Sequence, residues 1–271
     1  MPITLRWLDA TTLATESEWL RPDRLGSRTA AEVASLPARV GNASATLGDL
    51  FRIEGDAGDG RLDIEGDLRH VRDIGRGMAG GHLTIRGAGG PGVGLEMAGG
   101  RIEVDGSVGD WAGAAMRGGH LLIRGNAGDM LGAALPGDRL GMRDGTIVAT
   151  GDAGDDVGLA MRRGLIAIGG RAGQTLGRGM VAGSIFAVGP VGRHPGLGMK
   201  RGTLALAATA GSDLPPTFAP SGPYRPPVLT IYLRALAELG LPGAVLAFAG
   251  EPERYNGDLL EAGRGEIWAW S

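Results

Sequence analysis

The stretch GHLTIRGAGGPGVGLEMAG, residues 81–99, is followed at once by GRIEVDGSVGDWAGAAMRG, residues 100–118. The two share a skeleton. Counting Gly81 and Gly100 as position 0, glycine recurs at +6, +9 and +13, and methionine stands at +16. Gly119 begins a third unit, and after an insertion Gly145, Gly164, Gly183 and Gly202 are again 19 apart. Six units keep all three inner glycines, from Gly87/Gly90/Gly94 to Gly189/Gly192/Gly196. A fixed period of this length is the signature of a repeat architecture.

Within each unit, positions +2 and +4 are mostly aliphatic: Leu83/Ile85, Ile102/Val104, Leu121/Ile123, Ile147/Ala149, Ile166/Ile168 and Ile185/Ala187. Alternation over a short run predicts a strand with one face buried. Glycine at fixed corners supplies positive φ and close backbone approach. A strand plus turns, stacked on copies of itself, predicts a β-solenoid. The +16 column is Met97, Met116, Met161, Met180 and Met199, with Leu135 in the third unit and Met78 closing a looser one. Spaced one per coil, these methionines suit a narrow core better than a copper site, whose ligands must converge.

The predicted fold is therefore mainly β: a right-handed parallel β-helix of 19-residue coils with small α+β caps at both ends. The right hand follows the rule for crossovers between parallel strands. Three segments are expected: an N-terminal cap over 1–47, the solenoid over 48–208, and a C-terminal linker, helix and cap over 209–271. About eight coils are expected, the first two on Phe51-x-Ile53 and Leu62-x-Ile64. In the N-terminal cap, Ile3–Trp7 reads as an edge strand, and Thr29-x-x-Glu32 as a capping box opening a short helix that Pro37 stops. Residues 211–227 form a proline-rich connector. Val228, Ile231, Tyr232, Ala235, Leu236 and Leu239 then follow a helical period, ended by Gly240 and Pro242. Val245–Phe248 and Glu266–Trp270 read as strands. Tyr224, Tyr255, Trp268 and Trp270 would suit either an interface or packing on the final coil.

Composition narrows the function. The chain has 271 residues, a formal net charge of −3, 52 glycines, 12 aromatic residues and no cysteine. Glycine is far above the usual ~7%. Absence of cysteine excludes disulfides, thiol nucleophiles and cysteine-held metal clusters. The charge gives no sign of a nucleic-acid partner. The N-terminus lacks a basic start followed by an apolar run, and no apolar stretch is long enough to span a bilayer, so the expected location is cytoplasmic. Lys200 is the single lysine among 27 basic residues, an arginine bias that resembles GC-rich bacterial proteins.

Few residues offer chemistry. His82 and His120 share the outward position +1, two coils and roughly 10 Å apart, too far to share a metal. Asp110, Asp129 and Asp155 share position +10, where an aspartate beside glycine is expected to bond its own turn rather than hold a cation or act as an acid–base pair. No nucleophile elbow is present, and the GxGxxG-like strings belong to the repeat, without the strand–helix context of a dinucleotide site. No catalytic or metal-ligating residue is assigned. Positions +17 and +18 hold Arg117, Arg162, Arg163, Lys200 and Arg201, and the insertion 136–144 adds Arg139 and Arg143. Stacked coils would gather these seven into a basic edge facing an acidic subunit or a polyanionic cofactor tail, or simply solvent.

The repeat G-x5-G-x2-G-x3-G-x2-M resembles the GXGXG domain family, which includes the C-terminal domain of glutamate synthase and the C-type subunit of formylmethanofuran dehydrogenase. The second is more similar, through "SRTAAEVASLPARVGN", "LFRIEGDAG" and the tail "RYNGDLLEAGRGEI". A related bacterial assembly is the formyltransferase/hydrolase complex of methylotrophs, which serves formaldehyde oxidation. The resemblance implies a scaffold subunit without an active site or bound cofactor of its own. It would sit in a complex that moves a formyl group from formyl-tetrahydromethanopterin to a methanofuran-type carrier (methylofuran) and releases formate. The implied partners are an amidohydrolase-like subunit holding the metal, a formyltransferase subunit and a further small subunit, with no nucleic acid and no membrane. The family's furan carriers bear glutamate-rich tails. Two alternatives stand beside this reading. One is the C-type subunit of a molybdenum or tungsten formylmethanofuran dehydrogenase. The other is a stand-alone carbohydrate-active solenoid enzyme, with Trp111 and Phe186 as stacking platforms.

Overall fold

The structure is a computed structural model that describes residues 2–9, 11–56, 58–208, 213–261 and 263–270. In chain order it opens with β1 (Ile3–Trp7), β2 (Thr15–Glu16), α1 (Pro22–Leu25), α2 (Ala30–Ala34), β3 (Pro37–Val40), β4 (Ala43–Thr46) and α3 (Leu47–Leu50). Next come β5 (Phe51–Glu54), β6 (Arg61–Glu65), β7 (Val71–Arg72), β8 (His82–Arg86), β9 (Arg101–Val104), β10 (Arg117–Ile123), β11 (Asp144–Ala149), β12 (Leu165–Ile168), β13 (Ser184–Pro190) and β14 (Arg201–Ala208). The C-terminal part holds β15 (Ala219–Pro223), α4 (Leu229–Glu238), α5 (Ala244–Ala247), β16 (Glu253–Gly257) and β17 (Arg264–Ala269).

The protein is mainly β, built on a 13-stranded sheet of order β15-β16-β17-β14-β13-β12-β11-β10-β9-β8-β6-β1-β5. From β6 to β14, eight strands pair in parallel, each with the next unit of the repeat. Leu62, Leu83, Ile102, Leu121, Ile147, Ile166, Ile185 and Leu204 lie in one register across them. All are buried, as is the matching Ile267 of β17. At the next corner a second parallel ladder of single bridges joins Val108, Ala127, Ala153, Ala172 and Val191. A smaller sheet, β4-β3-β2-β7, closes the N-terminal side.

Methionine and the leading glycine of the repeat explain each other. The side chain of each methionine runs under the leading glycine of the unit after next. A Cβ on Gly100 would lie 2.7 Å from the Met78 methyl, and one on Gly202 would lie 2.6 Å from that of Met180. In the third unit that place belongs to Met142 and not to Leu135. Met142 is fully buried and its N–H donates to Gly132 O, as Met116 donates to Gly113 O. The insertion therefore falls before the corner, over residues 135–141, where it leaves the ladder intact.

Several expectations are corrected. β1 is interior, between β5 and β6, and β5 pairs antiparallel with it. The Phe51–Ile53 unit is thus the sheet's edge strand and not the first parallel rung. The capping box at Thr29 and Glu32 is present, and a second one at Thr46 and Asp49 opens α3. Residues 245–248 are not a strand: Ala244–Ala247 is one helical turn, because Leu241 and Pro242 accept from Ala244 and Val245 N–H in a tight return after α4. The proline-rich connector carries β15, which pairs antiparallel with β16. Trp268 and Trp270 are buried, and Tyr224 and Tyr255 half-buried.

The largest departure concerns position +3. In β6, β8 and β9 it is polar: Asp63, Thr84 and Glu103. From β10 onward it is Leu122, Val148, Ala167, Phe186 and Ala205, then Trp268 of β17, all buried. These six form a second core with Leu229 and Leu236 of α4, Leu241, Ala244 of α5, Phe248 and Trp270. Phe186 packs against Tyr232 and Phe248 with ring centroids 5.0 and 5.4 Å apart, and Tyr232 Oη lies 3.0 Å from Ser184 Oγ. The buried face of α4 is consequently Leu229, Tyr232, Leu233 and Leu236, while Ile231 is 70% exposed. The C-terminal segment covers the later half of the sheet and leaves the earlier half open. It also removes Phe186 as a stacking platform.

Candidate functional site: a basic edge

The corner after each methionine repeats one hydrogen bond. Arg117 N–H donates to Met97 O, Arg143 to Met116 O, Arg162 to Met142 O, Val181 to Met161 O and Lys200 to Met180 O, all at 2.7–2.8 Å. These residues occupy successive rungs about 4.8 Å apart. Four of the five are cationic, interrupted at Val181. The next residue in each rung is Gly118, Asp144, Arg163, Ala182 or Arg201. Arg117 stands opposite Asp144, and Arg201 opposite Arg264. Of the seven residues singled out in the sequence, six therefore lie along one edge. Arg139 is exposed on the insertion 135–141, which leaves the coil just before this corner.

Arg264 joins the edge unforeseen, because the chain leaves the stack at 208 and re-enters it only at β17. The signal was in the sequence: RGLI at 163–166 and RGTL at 201–204 recur as RGEI at 264–267. Among the described residues, Lys200 has the one ion pair along this edge, with Glu261 at 3.9 Å. Arg117, Arg162, Arg163, Arg201 and Arg264 are exposed, and Arg143 half-buried with its Nε lacking a hydrogen-bond partner. The edge thus carries unneutralised positive charge, although the chain as a whole is slightly acidic.

The carboxylate column has a structural use. Asp110 Oδ1 accepts from the N–H of Asp129 at 2.9 Å, Asp129 from Asp155 at 2.8 Å, and Asp155 from Gln174 at 2.7 Å. The bond goes to the next coil, where the sequence suggested the residue's own turn. A second ladder, which sequence reading missed, runs from Ser107 to Asn126, Asp152 and Arg171 N–H groups at position +7. Each column ties successive coils by charge-assisted or polar bonds.

Elsewhere, several charged groups pair with one another. His82 Nε2 is 3.6 Å from Glu103 Oε1, and His82, Arg101 and His120 stand side by side on three strands. Burial works to raise the Glu103 pKa, but hydrogen bonding and charge from Arg101, then the charges of Arg124 and His82, outweigh it and hold it below its ordinary value. A cleft of about 550 Å³ lies between the N-terminal segment and the first coils, lined by Glu16, Arg21, Arg39, Asp73, Arg76 and Glu96 among others. There Arg76 pairs with both Asp73 and Glu96 at 3.1 and 3.0 Å. Burial pushes the Asp73 carboxyl up, against the pull of Arg76. Among the described residues no group of histidine, aspartate or glutamate side chains is placed to hold a metal ion, and no helix is long and apolar enough to cross a membrane.

Fold and edge together define a mainly β repeat protein whose successive strands pair in parallel and are tied by polar side-chain ladders. No protein-family model matches the chain, and no curated relative does. Among solved structures, it is similar to a chain in the X-ray crystal structure of the formyltransferase/hydrolase complex (FhcABCD) from Methylorubrum extorquens in complex with methylofuran. The identity is 34%, the TM-score 0.90, and 99% of each chain is covered. The chain belongs to the family of formyltransferase/hydrolase complex subunits.

Proposed function

We propose that this chain is the C-type, non-catalytic scaffold subunit of a formyltransferase/hydrolase complex. In this reading the repeat is a right-handed parallel β-helix of 19-residue coils, of the GXGXG kind, with residues 1–47 and 209–271 serving as its caps. The complex moves a formyl group from formyl-tetrahydromethanopterin to a methanofuran-type carrier and releases formate. The transferase and the metal-bearing hydrolase centres belong to partner subunits. The observation that carries the proposal is the likeness along 99% of both chains to a member of a complex crystallised with methylofuran. It is supported by the occupation of this chain's own polar side chains: the aspartate columns tie coil to coil, and His82 lies against Glu103.

The basic edge of Arg117, Arg143, Arg162, Arg163, Lys200 and Arg201, with Arg139 on the adjoining insertion, is proposed to meet an acidic subunit surface or the anionic tail of the carrier. Opposite charge across an interface guides encounter and fixes register. The test is charge reversal of the exposed pair, Arg162→Glu with Arg163→Glu. It is expected to weaken assembly or raise the KM for the carrier, more strongly at low salt. Unchanged assembly together with unchanged carrier kinetics at low salt would remove the edge from the account, leaving the scaffold assignment to the assembly experiment below.

A further inference from the structure

At the C-terminal end of the basic edge, the turn between β16 and β17 holds two exposed leucines, and a third stands on the corner to which this turn is hydrogen-bonded. Leu259 and Leu260 are 59% and 82% exposed, and Leu197, on the adjoining corner of the last coil, is 41% exposed. The positions are brought together by Asp258, a carboxylate only 2% exposed. Its Oδ2 accepts from Gly198 N–H and its Oδ1 from Leu260 N–H, both at 3.0 Å. Its own N–H donates to Met199 O at 3.2 Å, and Leu259 N–H donates to Thr217 O at 3.1 Å. A buried carboxylate and four hydrogen bonds thus hold two leucines out into water. The same corner bears the exposed cations Arg201 and, opposite it in register, Arg264, beside Lys200, which pairs with Glu261 of the turn at 3.9 Å.

We propose that this tip is an anchor for a partner subunit of the complex, one presenting an apolar socket rimmed by carboxylates. The inference rests on the proposed membership of the complex and goes beyond it by naming the contact. Exposed leucines on a pre-arranged turn lose little further conformational freedom on docking, and their burial provides the anchor. The cationic rim selects the partner's charge. A second copy of this chain is the wrong occupant: a two-fold contact sets a patch against itself, so the cations Arg201 and Arg264 of one copy would be brought against the same cationic patch of the other.

The test uses the assembled complex, co-expressed with its other subunits, and two variant pairs of this chain: Leu259→Ser with Leu260→Ser, and Arg201→Glu with Arg264→Glu. All four side chains are exposed, so the thermal midpoint of the isolated chain should stay near that of the parent. Binding to the remaining subunits is expected to weaken at least about tenfold for the leucine pair. For the arginine pair the loss should be largest at low salt. If the parent chain assembles and both variant pairs assemble equally well, the anchor is wrong while the scaffold reading stands. If the parent chain does not assemble with these subunits, both fall. Loss in the leucine variant of self-association, or of binding to anionic lipid vesicles, with complex assembly unchanged, would overturn the proposal in favour of those occupants.

Discussion

Gly132 shows how one residue type comes to be fixed in this protein. Its φ is +66°, and a Cβ there would lie 2.6 Å from Ile166 Cδ1 in the core. Position +11 is also left-handed, yet it carries Trp111, Met130, Asp156, Thr175 and His194. The conformation alone therefore does not demand glycine; conformation plus an inward-pointing Cβ does. Gly132→Ala is expected to cost about 1–3 kcal/mol, read as a lower urea midpoint. An unchanged midpoint would mean that the column is not packed as described. Acid is the second residue-scale test. In Asp258 burial raises the pKa, but the Leu260 and Gly198 N–H groups outweigh it and the value is lowered. Glu103 and Asp156 are lowered as well. As pH falls, the unfolded chain takes up these protons before the folded chain does. Their stabilisation is full above the ordinary carboxylate range of about 4 and is lost on descent through the depressed folded values. Asp258→Asn should flatten the fall in stability between about pH 5 and 3; an unaltered slope would contradict its role. Asp73, raised by burial, acts in the opposite sense.

At the scale of the element, the strands and corners were legible because glycine, aliphatic and methionine positions recur at one period. Leu135 stood in the place of Met142 because counting from Gly119 reaches Leu135 before the insertion has closed. The docking of the C-terminal segment was legible in principle: Thr84 and Glu103 give way to Leu122, Val148, Ala167 and Phe186 at a single repeat position. The inward positions +2 and +4 carry no sign of it, so Trp268 and Trp270 stood open between an interface and packing on the final coil, and they are buried. Val245–Phe248 escaped because four apolar residues carry no period long enough to separate a helical turn from a strand. Phe186→Ala empties the centre of this second core and is expected to cost about 3–5 kcal/mol. Limited proteolysis should then cut within 213–227 sooner than in the parent. Equal resistance would show that α4 is held by something other than this face.

At the scale of the whole molecule, one sheet runs from β5 through the repeat to β15 and joins both ends of the chain to the stack. The Asp110, Asn126 and Asp129 side chains are engaged between successive units of the repeat. Six of the seven basic positions named from sequence lie on one edge, since a common repeat position becomes a common place once coils stack. Arg264 lay outside the period because it comes from a strand that returns from the C-terminal segment. In the proposed function this chain holds catalytic subunits and does not itself catalyse. The most direct measurement is formate release from formyl-tetrahydromethanopterin in the presence of the furan carrier, made on the chain alone, on the remaining subunits alone and on the reassembled complex. The account predicts no turnover by the chain alone, co-elution with the other subunits on reassembly, and more activity in the complex than in the remaining subunits. Turnover by the isolated chain, or full activity of the other subunits without it and no co-elution, would contradict it.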